Sequence, residues 1–598
     1  MPLFTRSRQL PDTEQAAEEN PTPDGSPDDA TDDVSDDTAG SGRRGWRAKY
    51  PAAAQGVAWA TTGLAALLVL FVLLLPNKLV LLTPDAFARI PVEAIFGVAL
   101  LLVLKPKPRL VAAVAAGVGL GLLALLKLLD MGFYSAYVRP FDLRLDWILL
   151  DDAVSFFSDS AGRNAAIAVV IGVVVLAIAL PLLTTLAVVR LSRLMARYSA
   201  EAAPATLVVG TVWVACSALG VQSLGTQPVA STDAADLVHN RAIQVRAGIK
   251  EDRALAKEAA VDAFGDTPAD QLLTGLRGKD VIFAFVESYG RTALESPEMG
   301  PQVGAMLASG NDRLEAAGFS SRSAFLTSPT VGGGSWLAHS TLASGLWLKN
   351  QQRYENVTAS DRLSLTGAFQ RADAWRTVGI MPGVTRAWPE GKFYGFDKIY
   401  NSKQLGYQGP KFAWSPVPDQ YSMAAFERLE NSKPGRGPLM AEIILVTSHN
   451  PWAPLPKTIG WDEIGDGSVY DSIIEEGEST AEVWKDPAKV RNEYRRSIEY
   501  SVGTLIDYVE KYGNDDTVLV FLGDHEPVPL VTENSPSRDV PISIVAHDPA
   551  VLDQIKGWKW EEGLKPSPTA PVLRMDKFRD RFLTAYGPQS GPAPAIKP

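Results

Sequence analysis

Five apolar runs in the first third of this chain constrain its fold more than any other feature. They lie at Val57–Leu75, Phe87–Leu104, Leu110–Leu129, Ala165–Val189 and Ala205–Val221. Each is about long enough for a helix to cross a hydrocarbon layer of ~30 Å. The second and fifth are at the short end and would also suit buried helices. Loop charge favours spanning in all five. Arg43, Arg44, Arg47 and Lys49 precede the first run, Lys105, Lys107 and Arg109 separate the second and third, and Arg190, Arg193 and Arg197 separate the fourth and fifth. With five crossings these basic clusters share one side, which an excess of Lys and Arg marks as cytoplasmic. An odd number of crossings puts everything after residue 222 outside. The expectation is a five-helix transmembrane domain over 51–222, with a cytoplasmic N-terminus.

Residues 1–50 read as an acidic, disordered cytoplasmic tail. The pairs Asp28-Asp29, Asp32-Asp33 and Asp36-Asp37 repel one another, and few large apolar residues accompany them. The formal net charge of −11 carries no signature of a nucleic-acid partner. The single cysteine, Cys216, excludes a disulfide framework within the chain. An outer domain must therefore be stable through its core alone, which its size permits. Segment 130–164 carries Tyr134, Tyr137, Phe141, Trp147, Phe156 and Phe157 among charged residues. It reads as an aromatic belt, or as an interfacial element suited to a lipid substrate.

Residues 223–276 have helical, polar composition over Asp233–Ile249 and Glu251–Phe264, and we expect a helical linker lying on the membrane surface. From residue 277 to 590 strands alternate with helices, and residues 591–598 read as a flexible tail. Val281–Val286, Glu442–Thr447, Thr517–Leu522 and Val540–Ala546 are continuous apolar runs of the kind that form buried strands. The alternation predicts an α/β domain with a mostly parallel central sheet. The segment 382–417 is rich in Pro, Gly and aromatic residues without a period, as functional loops often are.

In open α/β sheets the chemistry gathers beyond the carboxyl ends of the strands. Glu287 follows the first strong strand, Ser448 and His449 follow the second, and Asp524, His525 and Glu526 follow the third. Any one of these has an ordinary explanation as a cap or turn residue. Two of only five histidines at strand ends make joint coincidence harder to sustain. The stretch TVGGGSWLAHSTLASG, Thr330 to Gly345, adds a serine at a glycine-rich helix start. Such a start suits a phosphate group, and it also suits a plain N-cap. Carboxylates, imidazole and a hydroxyl together suit magnesium, manganese or zinc. A metal at Ser335 would activate its hydroxyl as a nucleophile. His339 lies one helical turn after Ser335, placed either to touch substrate or to pack.

With the motifs VESYG, GGGSW, SHNPW and GDHEP in this order, the chain resembles the alkaline phosphatase/sulfatase-like superfamily. Within it, the five spans, aromatic outer loop, helical linker and outer α/β domain resemble phosphoglycerol transferases of the lipoteichoic acid synthase type. The resemblance implies Ser335 as nucleophile and metal ligand, with Glu287, Asp524 and His525 as the other ligands of one divalent ion, commonly manganese. It implies that His449 contacts the transferred phosphoryl group or the leaving oxygen. The run Tyr394–Tyr400 resembles the segment after the substrate loop, which makes Trp388 a substrate contact, with Arg386 and Lys392 nearby. The chain departs from the pattern where a glycerophosphate-binding histidine is expected, since Gly379, Ile380, Met381 and Pro382 occupy that region. Ser335 is not followed by the sulfatase signature, and Arg538-Asp-Val-Pro541 lacks the histidine of two-metal phosphatases.

The expected activity is that of a membrane-anchored phosphotransferase. It would move a phospholipid headgroup, glycerophosphate from phosphatidylglycerol first of all, to a hydroxyl of a cell-envelope glycan or glycolipid. Phosphoethanolamine transfer or phosphodiester hydrolysis is the nearest alternative. An inactive membrane scaffold or regulator of envelope synthesis is the alternative of a different class. The expected location is a bacterial cell membrane, with the catalytic domain outside.

Overall fold

The computed structural model describes residues 50–150, 153–154, 157–158, 162–222, 227–385, 387–533 and 535–588. The acidic tail, Phe156, Arg386 and the C-terminal tail lie outside the described residues.

The apolar runs form helices α1 (Pro51–Leu74), α2 (Val92–Val103), α3 (Pro106–Tyr137), α4 (Arg163–Arg197) and α5 (Ser199–Ala218). All but α2 are long and apolar enough to cross a membrane, which makes four such helices among the described residues. The run expected to be the second span yields only the 12 residues of α2, about 18 Å of helix. Proline sets both ends. Pro91 pairs with Ser231 in a two-residue parallel bridge, and Lys105 is held extended by the following Pro106. Helices α3 and α4 approach closely along Gly117 and Gly121. A Cβ at either would collide with the backbone of Thr185 or Pro181, and the Thr184 hydroxyl donates to the Gly117 carbonyl at 2.7 Å. Small residues four apart allow this contact where the hydrophobic effect supplies none.

The linker forms a single helix, α6 (Asp233–Ala259), where the sequence suggested two; Ile249-Lys250-Glu251 contains no breaker. It is docked along its first turns. Arg89 pairs with Asp233 and donates to the Pro228 carbonyl at 2.8 Å, and Glu93 accepts from the Ala235 amide at 2.7 Å. Arg241 pairs with Asp130, which is fully buried and also accepts from the Phe141 amide at 3.0 Å. Two buried charges so paired hold α6 against the C-terminal part of α3.

Beyond the linker come β1 (Asp280–Val286), α7 (Gly300–Ala316), β2 (Ser320–Thr327), α8 (Ser335–Ser344), α9 (Gln351–Thr358), β3 (Arg376–Met381) and β4 (Lys398–Asn401). They are followed by β5 (Leu439–Leu445), α10 (Pro487–Tyr512), β6 (Thr517–Gly523), β7 (Asp539–Ala546), β8 (Glu561–Glu562), β9 (Val572–Arg574) and α11 (Phe578–Ala585). The nine strands form one sheet in the order β8–β2–β7–β6–β1–β5–β3–β4, with β9 also paired to β2. The half from β6 to β4 is parallel, as expected. The other half is not. β7 runs antiparallel to β6 and to β2, and β8 runs antiparallel to β2, so the sheet as a whole is mixed.

Strand β1 alternates between two cores. Ile282, Ala284 and Val286 face Val303 and Leu307 of α7 and Ile498 and Val502 of α10. Val281, Phe283 and Phe285 face Ala338 and Leu342 of α8 and Phe582 of α11. All seven β1 residues are buried, which explains why this strand reads as an unbroken apolar run. Each of Val281, Ile282, Phe283, Phe285 and Val286 contributes roughly 1.5–3 kcal/mol by leaving water.

Candidate active site

Sheet register brings the strand-end residues together. Val286 pairs with Gly523 on β6 and with Leu445 on β5, so the next residues of all three strands emerge side by side. Glu287 extends the ladder by donating its amide to the Leu445 carbonyl at 3.1 Å. Asp524 Oδ1 accepts from the amides of Ser288 at 2.8 Å and His525 at 2.7 Å, which fixes the carboxylate. Gly523 is required where it stands, because a Cβ there would strike the Tyr289 carbonyl.

Ser335 reaches this point from the opposite side. Gly332, Gly333 and Gly334 have φ values of 75°, 152° and 78°, a path that side chains resist. The segment before α8 is fastened to the end of β6: the Ser328 hydroxyl donates to the Asp524 carbonyl at 2.6 Å, and the Gly332 amide to the Glu526 carbonyl at 2.8 Å. Gly334, not Ser335, occupies the N-cap. Ser335 is the first residue of the helix, and its hydroxyl caps no amide. It donates to Glu287 Oε2 at 2.8 Å and lies 3.2 Å from His525 Nε2. The positive end of α8 adds a favourable field for an anion at this hydroxyl.

His525 is almost wholly buried, and its Nδ1 lies 2.8 Å from the Glu526 carbonyl. A carbonyl only accepts, so Nδ1 carries a proton, and Nε2 is the nitrogen that faces Glu287 Oε1 at 3.1 Å and the Ser335 hydroxyl. The electrostatics are strongly mutual. Burial alone would raise Glu287, yet the charge of His525 and its hydrogen bond hold the carboxyl well below its usual range, with His449 adding to this. Burial and the neighbouring charge of Glu287 push Asp524 up. Burial would lower His525, but Asp524 and Glu287 raise it to about 9.

The donor set fits one divalent ion. Ligand atoms of Glu287, Asp524 and His525 all lie within 4.8 Å of one another and all three residues are buried. Asp524 Oδ2 is buried without a hydrogen-bond partner, and so is His339 Nε2. Carboxylate, imidazole and hydroxyl donors match manganese or zinc better than an all-oxygen magnesium site. A cation here would relieve the carboxylate repulsion that raises Asp524.

His339 belongs to the same cluster. Its Nε2 lies 3.5 Å from Asp524 Oδ2, and its ring centroid is 4.2 Å from that of Phe285. His449 stands on the other side of Glu287, where the Ser448 hydroxyl donates to the Glu287 carbonyl at 2.6 Å. Its Nδ1 lies 2.5 Å from the Asn450 carbonyl, which leaves Nε2 as the reactive nitrogen. The His449 ring is stacked on Trp414, with centroids 3.9 Å apart and planes 17° from parallel. Trp414 was not singled out from the sequence; only its aromatic-rich segment was.

The expected substrate residues are less united. Trp388 is half-buried, donates through Nε1 to the Tyr354 hydroxyl at 3.2 Å, and packs on Tyr394. Lys392 is exposed. No hydrogen bond or ring contact described here joins Trp388 or Lys392 to Ser335, and Arg386 lies outside the described residues.

No protein-family profile matches the chain, and no curated protein sequence matches it. Solved structures similar to it include the lipoteichoic acid synthase LtaP from Listeria monocytogenes, at 15% identity over 53% of this chain and 74% of the other, with a TM-score of 0.35. Another is the phosphoglycerol transferase GacH from Streptococcus pyogenes in complex with sn-glycerol-1-phosphate, at 12% identity over 56% and 91%, TM-score 0.33. A third is the soluble domain of lipooligosaccharide phosphoethanolamine transferase A from Neisseria meningitidis, at 13% identity over 54% and 93%, TM-score 0.34.

Proposed function

We propose that this protein is a metal-dependent, membrane-anchored phosphotransferase of the alkaline phosphatase/sulfatase-like superfamily, with Ser335 as its nucleophile. The observation that carries this reading is the Ser335 hydroxyl, which lies 2.8 Å from Glu287 and 3.2 Å from His525 within a buried donor set. A divalent ion bound by Glu287, Asp524, His525 and Ser335 would acidify that hydroxyl and offset charge on phosphoryl oxygens. Ser335 Oγ attacks phosphorus, and the bond from phosphorus to the lipid glycerol oxygen breaks. The Ser335 proton passes to solvent as the hydroxyl is acidified, and protonated His449 delivers a proton from Nε2 to the departing diacylglycerol oxygen. The phosphoseryl ester is then attacked by an acceptor hydroxyl, whose proton goes to the now neutral His449, and Ser335 regains a proton from solvent.

Position supports a lipid donor. Helix α3 continues eight residues past Leu129, the end of its apolar run, which carries Tyr137 about 12 Å beyond the hydrocarbon edge. The glycine segment leading to Ser335 packs against that end. The nucleophile is thus held about 5 Å outside the headgroup layer, which extends about 5–7.5 Å beyond the hydrocarbon core on each side. A headgroup phosphodiester reaches it while its acyl chains stay in the bilayer.

The finer terms are glycerophosphate from phosphatidylglycerol as the transferred group and a cell-envelope glycan or glycolipid as acceptor. The absence of a second cysteine supports this donor over phosphoethanolamine, whose transferases usually have disulfide-rich outer domains. Manganese is the ion we assign. Domain limits of 51–222, 223–276 and 277–590 accompany this reading, as do a cytoplasmic N-terminus and an outer catalytic domain; five crossings require the extended Ile90-Pro91 and Leu104-Lys105 to complete the ~18 Å of α2. The basic loops at 43–49, 105–109 and 190–197 support that orientation.

The test is turnover of labelled phosphatidylglycerol by the purified chain with manganese, with and without acceptor. Ser335→Ala should abolish release of diacylglycerol. Retained release at the wild-type rate would overturn the mechanism. Faster turnover of phosphatidylethanolamine would overturn the choice of headgroup.

A further inference from the structure

We propose that the outer end of α3 is a working part of the active site, with Tyr137 as a positioning residue for the nucleophile segment. Three observations lead there. First, Gly332 and Gly333 lack side chains where α3 presses on them. A Cβ on Gly332 would collide with the Ala136 carbonyl, and one on Gly333 would come within 2.8 Å of the Tyr137 ring. Second, Trp336, the residue after the nucleophile, packs with Tyr137 against the buried cluster of Phe133, Phe141 and Leu149. Its indole is oriented by donation to Gln351 at 2.9 Å. Third, this end of α3 is itself anchored, through the buried Asp130, to Arg241 and to the Phe141 amide.

The segment from Ser328 to Trp336 is therefore gripped from two sides. Bonds to Asp524 and Glu526 hold it from the sheet, and Ala136, Tyr137 and the aromatic cluster hold it from the membrane domain. Three consecutive glycines have little conformational preference of their own. Without the second grip, the segment would sample positions that take Ser335 off Glu287 and His525. A misplacement of about 1 Å is enough to cost a nucleophile much of its rate. Tyr137 acts through Ser335; no role in touching substrate is assigned to it.

The test uses the full chain in lipid nanodiscs, as wild type, Tyr137→Phe, Tyr137→Ala and Tyr137→Leu. Hydrogen exchange of peptides covering 330–337 should speed up roughly tenfold in the Ala and Leu variants and stay unchanged in Tyr137→Phe, which keeps the ring. Peptides covering β6 report on global stability and should not change in any variant. The kinetic arm rests on the phosphotransfer reading. There, kcat should fall about tenfold with KM nearly constant, for a lipid donor and for soluble bis(p-nitrophenyl) phosphate alike. Unchanged exchange at 330–337 in both Tyr137→Ala and Tyr137→Leu would overturn the proposal. So would a loss confined to the lipid donor, because that would place the effect on substrate access. If wild type turns over neither donor, the phosphotransfer reading fails, and the exchange arm still decides the role of Tyr137.

Discussion

His339 Nε2 and Asp524 Oδ2 face each other at 3.5 Å, each buried and neither hydrogen-bonded. Asp524 Oδ1 already accepts two backbone amides, so Oδ2 is the oxygen left for a cation. His339 therefore borders the ion that Asp524 would bind. We predict that His339→Ala weakens manganese binding by roughly tenfold to a hundredfold, the usual effect of removing a group that supports a ligand. Titration of the full chain with manganese measures this directly. An unchanged dissociation constant would assign His339 to packing against Phe285.

The stack of Trp414 on His449 fixes the plane of the imidazole, while the Asn450 carbonyl fixes its tautomer. Trp414→Ala should lower kcat roughly tenfold to a hundredfold and leave manganese affinity intact, because Trp414 touches none of the metal ligands described above. Trp414→Phe should recover most of the rate. A fall in metal affinity would contradict this assignment.

Glu442 lies on β5 beneath α8, and burial raises its carboxyl from 4.5 to about 7. The folded state thus binds this proton more tightly than the unfolded one. Its stabilising effect is complete below about 4.5 and is lost as pH rises through about 7, a loss of up to about 3 kcal/mol. Glu442→Gln removes the titration. The melting temperature of the variant relative to wild type should therefore climb between pH 4.5 and 7 and then level off. Thermal unfolding followed by tryptophan fluorescence across that range checks the sign; a flat difference would show that Glu442 does not govern it.

Arg579 is completely buried on α11, and Asp262, from the segment after α6, meets it at 2.7 Å and 3.2 Å. Asp262 also accepts from the Leu363 amide at 3.1 Å. Asp262→Ala leaves the guanidinium short of charge and the amide without its partner. We expect a loss of about 3 kcal/mol in stability, measured by denaturant unfolding, with no change in manganese affinity. A change below about 1 kcal/mol would mean that Asp580, which accepts from Arg579 Nε at 2.7 Å, alone suffices for Arg579.

The residues of the candidate site are more legible in the sequence than the sheet is. Glu287, Asp524 and His525 could be read because buried parallel strands are continuous apolar runs with abrupt polar ends. Strand β2 was not visible. Its sequence, SSRSAFLT, opens on four polar residues although only Ser320 is exposed and Ser321 and Ser323 are buried, and the buried face of α7 before it interleaves Gly300, Gly304 and Gly310 with Val303, Leu307 and Leu314, which blurs its apolar stripe. The antiparallel turn of β7 onto β6 leaves no mark in composition. Trp414 and Tyr137 matter through contacts with His449 and Gly333, residues distant in the chain, and no local pattern announces such contacts. The short α2 is hidden inside the apolar run Phe87–Leu104, where Pro91 within the run and Pro106 just beyond it set the ends of the helix.

The height of Tyr137 above the apolar run of α3 carries one more consequence. A nucleophile fixed at that level meets donors that diffuse in two dimensions. On the proposed function, rate follows the mole fraction of donor in the lipid plane and not its amount per volume of buffer. Diluting a vesicle suspension with buffer would leave turnover per enzyme unchanged, whereas diluting the same donor with inert lipid would slow it. Membrane composition would then set the pace of the reaction, and the chain needs no separate sensor to follow it.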